Sequence, residues 1–314
     1  MKLSLIIPCF NEQECLNAFY NEAIKVVKDL DCEYEMLFVD DGSTDSTLTL
    51  LKELASKDKG VIYLSFSRNF GKEAAMYAGF SNATGDYVAV MDADLQDPPI
   101  LLKEMVEILN GGEYDSVATR RVTRKGEPPI RSWFAKHFYK FINKVSDADI
   151  VDGARDFRLM KKEMVDAILA MSENGRFSKG IFGWIGFRTY WLPYENVERV
   201  AGNTKWNFTS LLRYAFDGIM MFSSAPISAV FWLGVILFVL SIICLLTLSI
   251  LKFTCGIIIS DCLFVVSAIL LIGAIQTICL GIIGKYIDKT YTETKNRPHY
   301  IISQSNKKDV NKIN

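Results

Sequence analysis

Tyr87-Val88-Ala89-Val90-Met91-Asp92-Ala93-Asp94 is the stretch that decides how this chain is read. A short apolar run, rich in valine and closed by charge, is the pattern of a buried parallel strand. Both carboxylates then emerge at the strand's carboxyl end, where open α/β sheets bind their ligands. Mg²⁺ and Mn²⁺ take oxygen donors, often one or two carboxylates completed by substrate phosphates. Asp92 and Asp94 are therefore the candidate metal ligands, able to hold Mg²⁺ or Mn²⁺ against a diphosphate. An Asp-x-Asp alone is weak, because most such pairs are solvated turn residues. Its place after a strand strengthens it.

Upstream, strand and helix signals alternate. Residues 3–8, 35–40, 60–65 and 86–91 read as strands, and 12–30 and 72–83 as helices, with another helix through Leu48, Leu51 and Leu54. A further helix starts at Pro98-Pro99 behind Asp97, an N-cap followed by proline in the first turn, and 115–119 closes the series. This alternation predicts an α/β fold with a doubly wound, mostly parallel sheet. Acidic clusters fall at three strand ends: Asn11-Glu12, Asp40-Asp41 and Asp92-Ala93-Asp94. Neither a Gly-x-Gly-x-x-Gly nor a Gly-x-x-x-x-Gly-Lys-Ser/Thr occurs, which disfavours a dinucleotide fold and a P-loop. Carboxylates can still recognise a nucleotide through ribose hydroxyls and base N–H groups.

Downstream, residues 229–251 and 262–284 carry no charge, and 252–261 between them suits a tight hairpin. Each run is long enough to cross about 30 Å of hydrocarbon as a helix. The expected organisation is a catalytic domain over 1–225, a two-helix transmembrane hairpin within 226–284, and a basic tail over 285–314. Residues 206–222, with Phe208, Leu211, Leu212, Phe216 and Met220 on one stripe, read as an interfacial helix. Residues 130–145 carry Trp133, Phe134, Phe138 and Phe141 on one side and Lys136, Lys140 and Lys144 on another. An ordinary surface helix and a helix lying on the bilayer fit that pattern equally.

The formal net charge of −1 conceals polarity along the chain. The first 118 residues hold 21 Asp and Glu against 9 Lys and Arg, whereas 119–145 hold eight basic side chains against Glu127 alone. A basic block in a membrane-tethered chain points to phosphate ligands or anionic headgroups. Nucleic acid is a poor partner, with no recognised motif and a pI near 6.2. The seven cysteines form no Cys-x-x-Cys pair, which argues for a reducing compartment without disulfide or zinc. The apolar run 3–7 is too short for a signal peptide, so the soluble domain is expected to stay cytoplasmic, at a multi-pass cell membrane.

Pro8-Cys9-Phe10-Asn11-Glu12, Val39-Asp40-Asp41-Gly42-Ser43-Thr44-Asp45 and Asp92-Ala93-Asp94-Leu95-Gln96-Asp97-Pro98 together resemble family 2 glycosyltransferases of the GT-A fold. Ser67-Arg68-Asn69-Phe70-Gly71-Lys72-Glu73, Asp156-Phe157-Arg158-Leu159-Met160 and Gly202-Asn203-Thr204-Lys205-Trp206 are similar to polyprenyl-phosphate glycosyltransferases. So is the ending from Gly284 to Pro298, and the likeness narrows to bactoprenol glucosyltransferases. The resemblance implies Pro8, Phe10, Glu12 and Asp41 around base and ribose, with Asp40 supporting their loop. It implies Asp92 and Asp94 on metal and diphosphate, with Gln96 beside them, and Arg120, Arg131 and Lys205 on phosphates. Asp156 falls in the acceptor-side motif, and Asp94, Arg131 and Asp156 form the candidate catalytic set. For Arg68 and Arg199 an ion pair and a ligand contact are both open.

The implied reaction is inverting transfer of a hexose, glucose in the first instance, from a UDP-sugar to undecaprenyl phosphate on the cytoplasmic membrane face. Such an acceptor is already an anion at pH 7, so Asp156 reads as an orienting group, for Arg or a sugar hydroxyl, more than as a base. The implied partners are the nucleotide sugar, polyprenyl phosphate, the lipid bilayer, other copies of the chain, a flippase and a downstream glycosyltransferase. The competing readings are a GDP-mannose enzyme like dolichyl-phosphate mannose synthase, use of UDP-GlcNAc or UDP-galactose, and a non-enzymatic tether that binds sugar nucleotides.

Overall fold

The computed structural model describes residues 1–122, 151, 153–171, 173, 175–194, 261–308 and 310. The elements are β1 (Lys2–Cys9), α1 (Leu16–Asp29), β2 (Glu33–Asp40), α2 (Thr47–Lys57), β3 (Val61–Phe66), α3 (Lys72–Asn82), β4 (Tyr87–Val90) and α4 (Leu101–Asn110). There follow β5 (Ser116–Arg121), β6 (Ala154–Lys161), α5 (Lys162–Ala170), α6 (Ser178–Trp184), β7 (Thr189–Tyr194), α7 (Asp261–Thr294) and β8 (Ile302–Ser305).

The strands form one sheet in the order β7-β5-β6-β4-β1-β2-β3-β8. β1 is parallel to β2 and β4, β2 to β3, and β5 to β7. β6 runs antiparallel to both β4 and β5, and β8 antiparallel to β3. The α/β expectation holds, but the sheet is mixed, with four parallel pairings among seven. The causes are β8 at one edge and, in the interior, β6, inserted between β4 and β5. Its sequence, Ala-Arg-Asp-Phe-Arg-Leu-Met-Lys, alternates charge with apolar residues and lacks the continuous run that marks β4.

Helices cover both faces. Leu3, Leu5 and Ile7 of β1 pack with Leu16 and Phe19 of α1, Leu51 of α2 and Leu102 of α4. Ile6 faces the other way, onto Ala75, Met76 and Phe80 of α3 and Met164 and Val165 of α5. Most of α3 from Ala74 to Phe80 is buried, so this helix is small and apolar around its whole circumference. A Cβ on Gly79 would lie 2.2 Å from Ile6 Cγ2. That close approach seats α3 against β1 and brings its first residues to the sheet's carboxyl edge.

Counting described residues only, no helix is long and apolar enough to cross a membrane. The expected span over 262–284 is therefore not supported, and the partner run 229–251 lies outside the described residues, as do the helices expected over 130–145 and 206–222. Nor does the backbone break at Gly284, because α7 runs for 34 residues through Lys285, Asp288 and Lys289 to Thr294. The chain beyond it is not a detached tail. β8 closes the sheet edge on β3, and the Ser67 N–H donates to the Ile301 carbonyl at 2.9 Å. Tyr300, fully buried, stacks on Phe66 at 5.2 Å and meets Tyr77 edge-on.

Candidate active site

The loops after β1 and β2 are locked together by short polar side chains. The Asn11 N–H donates to Ser43 Oγ at 2.9 Å, and the Thr44 N–H returns a bond to Asn11 Oδ1 at 2.9 Å. The Glu12 N–H donates to Thr47 Oγ1, and the Cys15 thiol donates to Glu12 Oε2 at 3.0 Å. Pro8, Phe10 and Glu12 line this edge half-buried.

Asp40 braces the loop after β2 through both carboxylate oxygens. One carboxylate oxygen accepts the Ser43 N–H at 3.0 Å and the other the Ser65 hydroxyl at 2.8 Å. Gly42, with φ +68°, is required because a Cβ there would meet the Arg68 carbonyl carbon at 2.5 Å. Asp41 is more committed than its expected ligand role implies. Its carboxylate accepts the N–H groups of Phe70 at 2.7 Å and Gly71 at 3.0 Å, tying it to the start of α3. Burial pushes its pKa up to about 6, against those two hydrogen bonds.

At the end of β4 the antiparallel register Val90↔Arg158 brings Asp92 abreast of Asp156 on β6. Lys72, the first residue of α3, bridges them. Its ammonium lies 2.7 Å from Asp92 Oδ1 and 2.5 Å from Asp156 Oδ2. Lys179 of α6 stands 4.0 Å from Asp156 Oδ1. Burial pushes the Asp156 pKa up, but Lys72 foremost, then Lys179, outweighs it and holds this carboxyl well below the usual range. Burial likewise lowers Lys72, yet the two carboxylates prevail and keep it an ammonium. Asp156 is thus held as an anion beside Lys72 and Lys179, with Arg155 adding a smaller favourable charge.

The next turn is held by Arg155. Asp94 Oδ1 accepts the Gln96 N–H at 3.1 Å across Leu95, which adopts φ +57°. Arg155 donates to Asp97 Oδ1 at 3.1 Å and to Gln96 Oε1 at 3.3 Å, and the Tyr194 hydroxyl donates to Asp97. Among the described residues no group of three or more His, Cys, Asp or Glu side chains forms a metal cage. Asp92 and Asp94 nevertheless fit a hard cation, since Mg²⁺ or Mn²⁺ in such sites takes one or two carboxylates and the rest from phosphate and water.

Of the expected phosphate ligands, Arg120 lies on β5 at this same sheet end, paired with Ala154 and Pro193. Arg131 and Lys205 lie outside the described residues, as does Arg199. Arg68 lies over the Phe70 ring at 4.2 Å and donates to the Asn69 carbonyl. The sequence assigned no role to Lys72, Arg155, Arg158 or Lys179. Lys72 and Arg158 do fall inside motifs quoted above, but their partners are 20 and 84 residues away for Lys72 and 42 and 31 for Arg158.

A family model described as Glycosyl transferase family 2 matches residues 4–169. The Bacillus subtilis (strain 168) protein CsbB, named as a glycosyltransferase, is 45% identical over 304 residues, covering 97% of this chain and 92% of that protein. The prophage bactoprenol glucosyl transferase homolog of Escherichia coli (strain K12) is 37% identical over 307 residues, 98% of this chain and 100% of that one. The bactoprenol glucosyl transferase of Shigella phage SfII is 38% identical over 316 residues, 98% of this chain and 99% of that one.

Proposed function

Because this chain is a glycosyltransferase and belongs to glycosyl transferase family 2, we propose that it transfers a hexose, glucose first, from a UDP-sugar to undecaprenyl phosphate. The transfer inverts the anomeric carbon and takes place on the cytoplasmic face of a membrane. The observation that carries the reading is the likeness, over 98% of the chain, to proteins named as bactoprenol glucosyl transferases. The cluster of Asp92, Lys72 and Asp156 at a GT-A-like sheet's carboxyl edge supports it.

The chemistry follows from two anionic substrates that must meet. A lipid phosphate is ionised at neutral pH and needs no proton removed before it attacks. Asp156, kept a carboxylate by Lys72 and Lys179, is a weak base and suits that reaction. Its task is to aim the two ammonium groups, whose charge offsets the repulsion between phosphates. Mg²⁺ or Mn²⁺ held by Asp92 and Asp94 would add positive charge at the leaving diphosphate. Glu12 and Asp41 hold the nucleoside in this reading, and Arg120, Arg131 and Lys205 supply further cations to phosphate.

The described side chains of α7 support contact with lipid. Val265, Ile269 and Ile272, then Leu280, Ile283 and Ile287, are all more than half exposed and recur three and four residues apart. The test is to incubate the chain in membranes with undecaprenyl phosphate and a panel of UDP- and GDP-sugars. Lipid-linked glucose from UDP-glucose is expected. Lipid product from GDP-mannose alone would replace the sugar assignment, and no lipid product from any donor would overturn the acceptor.

A further inference from the structure

A cavity of about 190 Å³ opens between β6, α6 and β7, lined by Arg155, Arg158, Lys179, Phe182, Phe187 and Trp191. Arg158 dominates it. Its side chain is 3% exposed, and its guanidinium lies over the rings of Phe182 at 4.5 Å and Trp191 at 5.3 Å. Nη1 donates to Ser116 Oγ and Thr189 Oγ1, both at 3.1 Å, and both acceptors are neutral. Nε is buried with no acceptor among the described residues. Burial lowers the Arg158 pKa, and Asp156 only partly restores it. A buried cation without a paired anion is unfavourable unless something else supplies the charge.

The other two cations of the cavity are already engaged. Arg155 pairs with Asp97, and Lys179 donates to the Ala154 carbonyl and faces Asp156. Arg158 is therefore the cation in this cavity whose charge no neighbouring carboxylate matches at ion-pair distance, among the described residues. Apart from Thr189, whose hydroxyl already accepts from Arg158, the rest of the lining is apolar or glycine, with the rings of Phe182, Phe187 and Trp191 its largest part. A bare hexose would leave Arg158 without an anion, and a free phosphate would leave the rings without an apolar partner. An anion carried on an apolar chain satisfies both halves.

We propose that this cavity receives the phosphomonoester end of an apolar-chain lipid, with its phosphate on Arg158 and its first carbons against Phe182, Phe187 and Trp191. The proposal rests on the reading of the chain as a polyprenyl-phosphate glycosyltransferase and deepens it. Position supports it: Asp156, two residues before Arg158 on β6, carries the Lys72 bridge to Asp92. Lys179 and Arg155 line the cavity and also touch that cluster and its turn, so a phosphate seated here borders the donor site.

The test uses the full chain in detergent, labelled with fluorotryptophan, with the Trp191 resonance identified by Trp191→Phe. Farnesyl phosphate, farnesol and inorganic phosphate are the probes. Farnesyl phosphate should shift the Trp191 signal and bind more tightly than either of the others. Arg158→Gln should weaken farnesyl phosphate about ten- to a hundredfold while leaving UDP-glucose binding unchanged. Arg158→Lys, which keeps the charge but loses the planar fork, should fall between them. If Arg158→Gln does not fold, the wild-type Trp191 signal still decides. An unmoved Trp191 signal at saturating farnesyl phosphate overturns the proposal, as does equal binding by the Arg158→Gln chain. Equal affinity for inorganic and farnesyl phosphate would overturn the apolar half. A chain that makes lipid-linked hexose with Trp191 unmoved refutes the pocket alone. One that binds farnesyl phosphate at Trp191 yet transfers no sugar to lipid refutes the functional reading alone.

Discussion

Lys72 Nζ lies 2.7 Å from Asp92 Oδ1, so one of the two candidate metal ligands already carries an internal cation. The same ammonium holds Asp156. Replacing it with an isosteric apolar group separates two effects. Lys72→Met should lower turnover at least about a hundredfold, because Asp156 and the incoming phosphate lose their shared countercharge. It should also raise the affinity of the nucleotide-free chain for Mn²⁺, since Asp92 is released from competition. Mn²⁺ binding by electron paramagnetic resonance reads the second effect independently of catalysis. Weaker Mn²⁺ binding would mean that Lys72 positions Asp92 for the ion and does not compete with it.

Asp94→Asn keeps shape and the local turn but removes charge. Losing such a ligand should cost at least about a hundredfold in rate, with the residual activity indifferent to added metal. Full activity of the wild-type chain in excess chelator would contradict a metal role for both carboxylates.

Asp41 sets a pH dependence. Its pKa is raised from 3.8 to about 6, with burial the largest cause. Between those values the folded chain holds a proton that the unfolded chain has released. This group's contribution to stability is therefore fully present below the unfolded pKa and is lost as pH rises through about 6. Donor binding should run the other way. UDP-glucose affinity by calorimetry should fall as pH drops through about 6 and the carboxylate is neutralised. Asp41→Asn should flatten that profile, and an unchanged profile would remove Asp41 from the nucleoside site.

Much of this architecture is legible in the sequence, for a physical reason. β1, β2 and β4 each end in a buried apolar run, Leu5-Ile6-Ile7, Met36-Leu37-Phe38-Val39 and Val88-Ala89-Val90, so their carboxyl ends, and with them Asp40, Asp41, Asp92 and Asp94, could be located in advance. β6 was hidden because its two faces differ, with Phe157 and Leu159 packing in one core layer and Asp156 and Arg158 turned to the other side. β8, Ile-Ser-Gln-Ser, is a polar edge strand with no apolar run at all. The Lys72 and Asp156 pairing spans 84 residues and depends on α3 lying across β1, which no local pattern reports.

The return of the chain to the sheet also has a measurable consequence. Tyr300 is fully buried between Phe66 and Tyr77. Tyr300→Ala should cost about 3–5 kcal/mol, the range for truncating a buried aromatic side chain. Denaturant unfolding checks this, and a loss below about 1 kcal/mol would mean that the segment after α7 docks weakly.

The central claim is that a lipid phosphate oxygen attacks the sugar's anomeric carbon. Undecaprenyl phosphate labelled with heavy oxygen in its phosphate, incubated with UDP-glucose and the chain, tests it most directly by phosphorus NMR of the lipid product. The account predicts a labelled oxygen bridging phosphorus and a β-linked glucose. An unlabelled bridge, or glucose released to water or to a soluble acceptor with no lipid product, would contradict it.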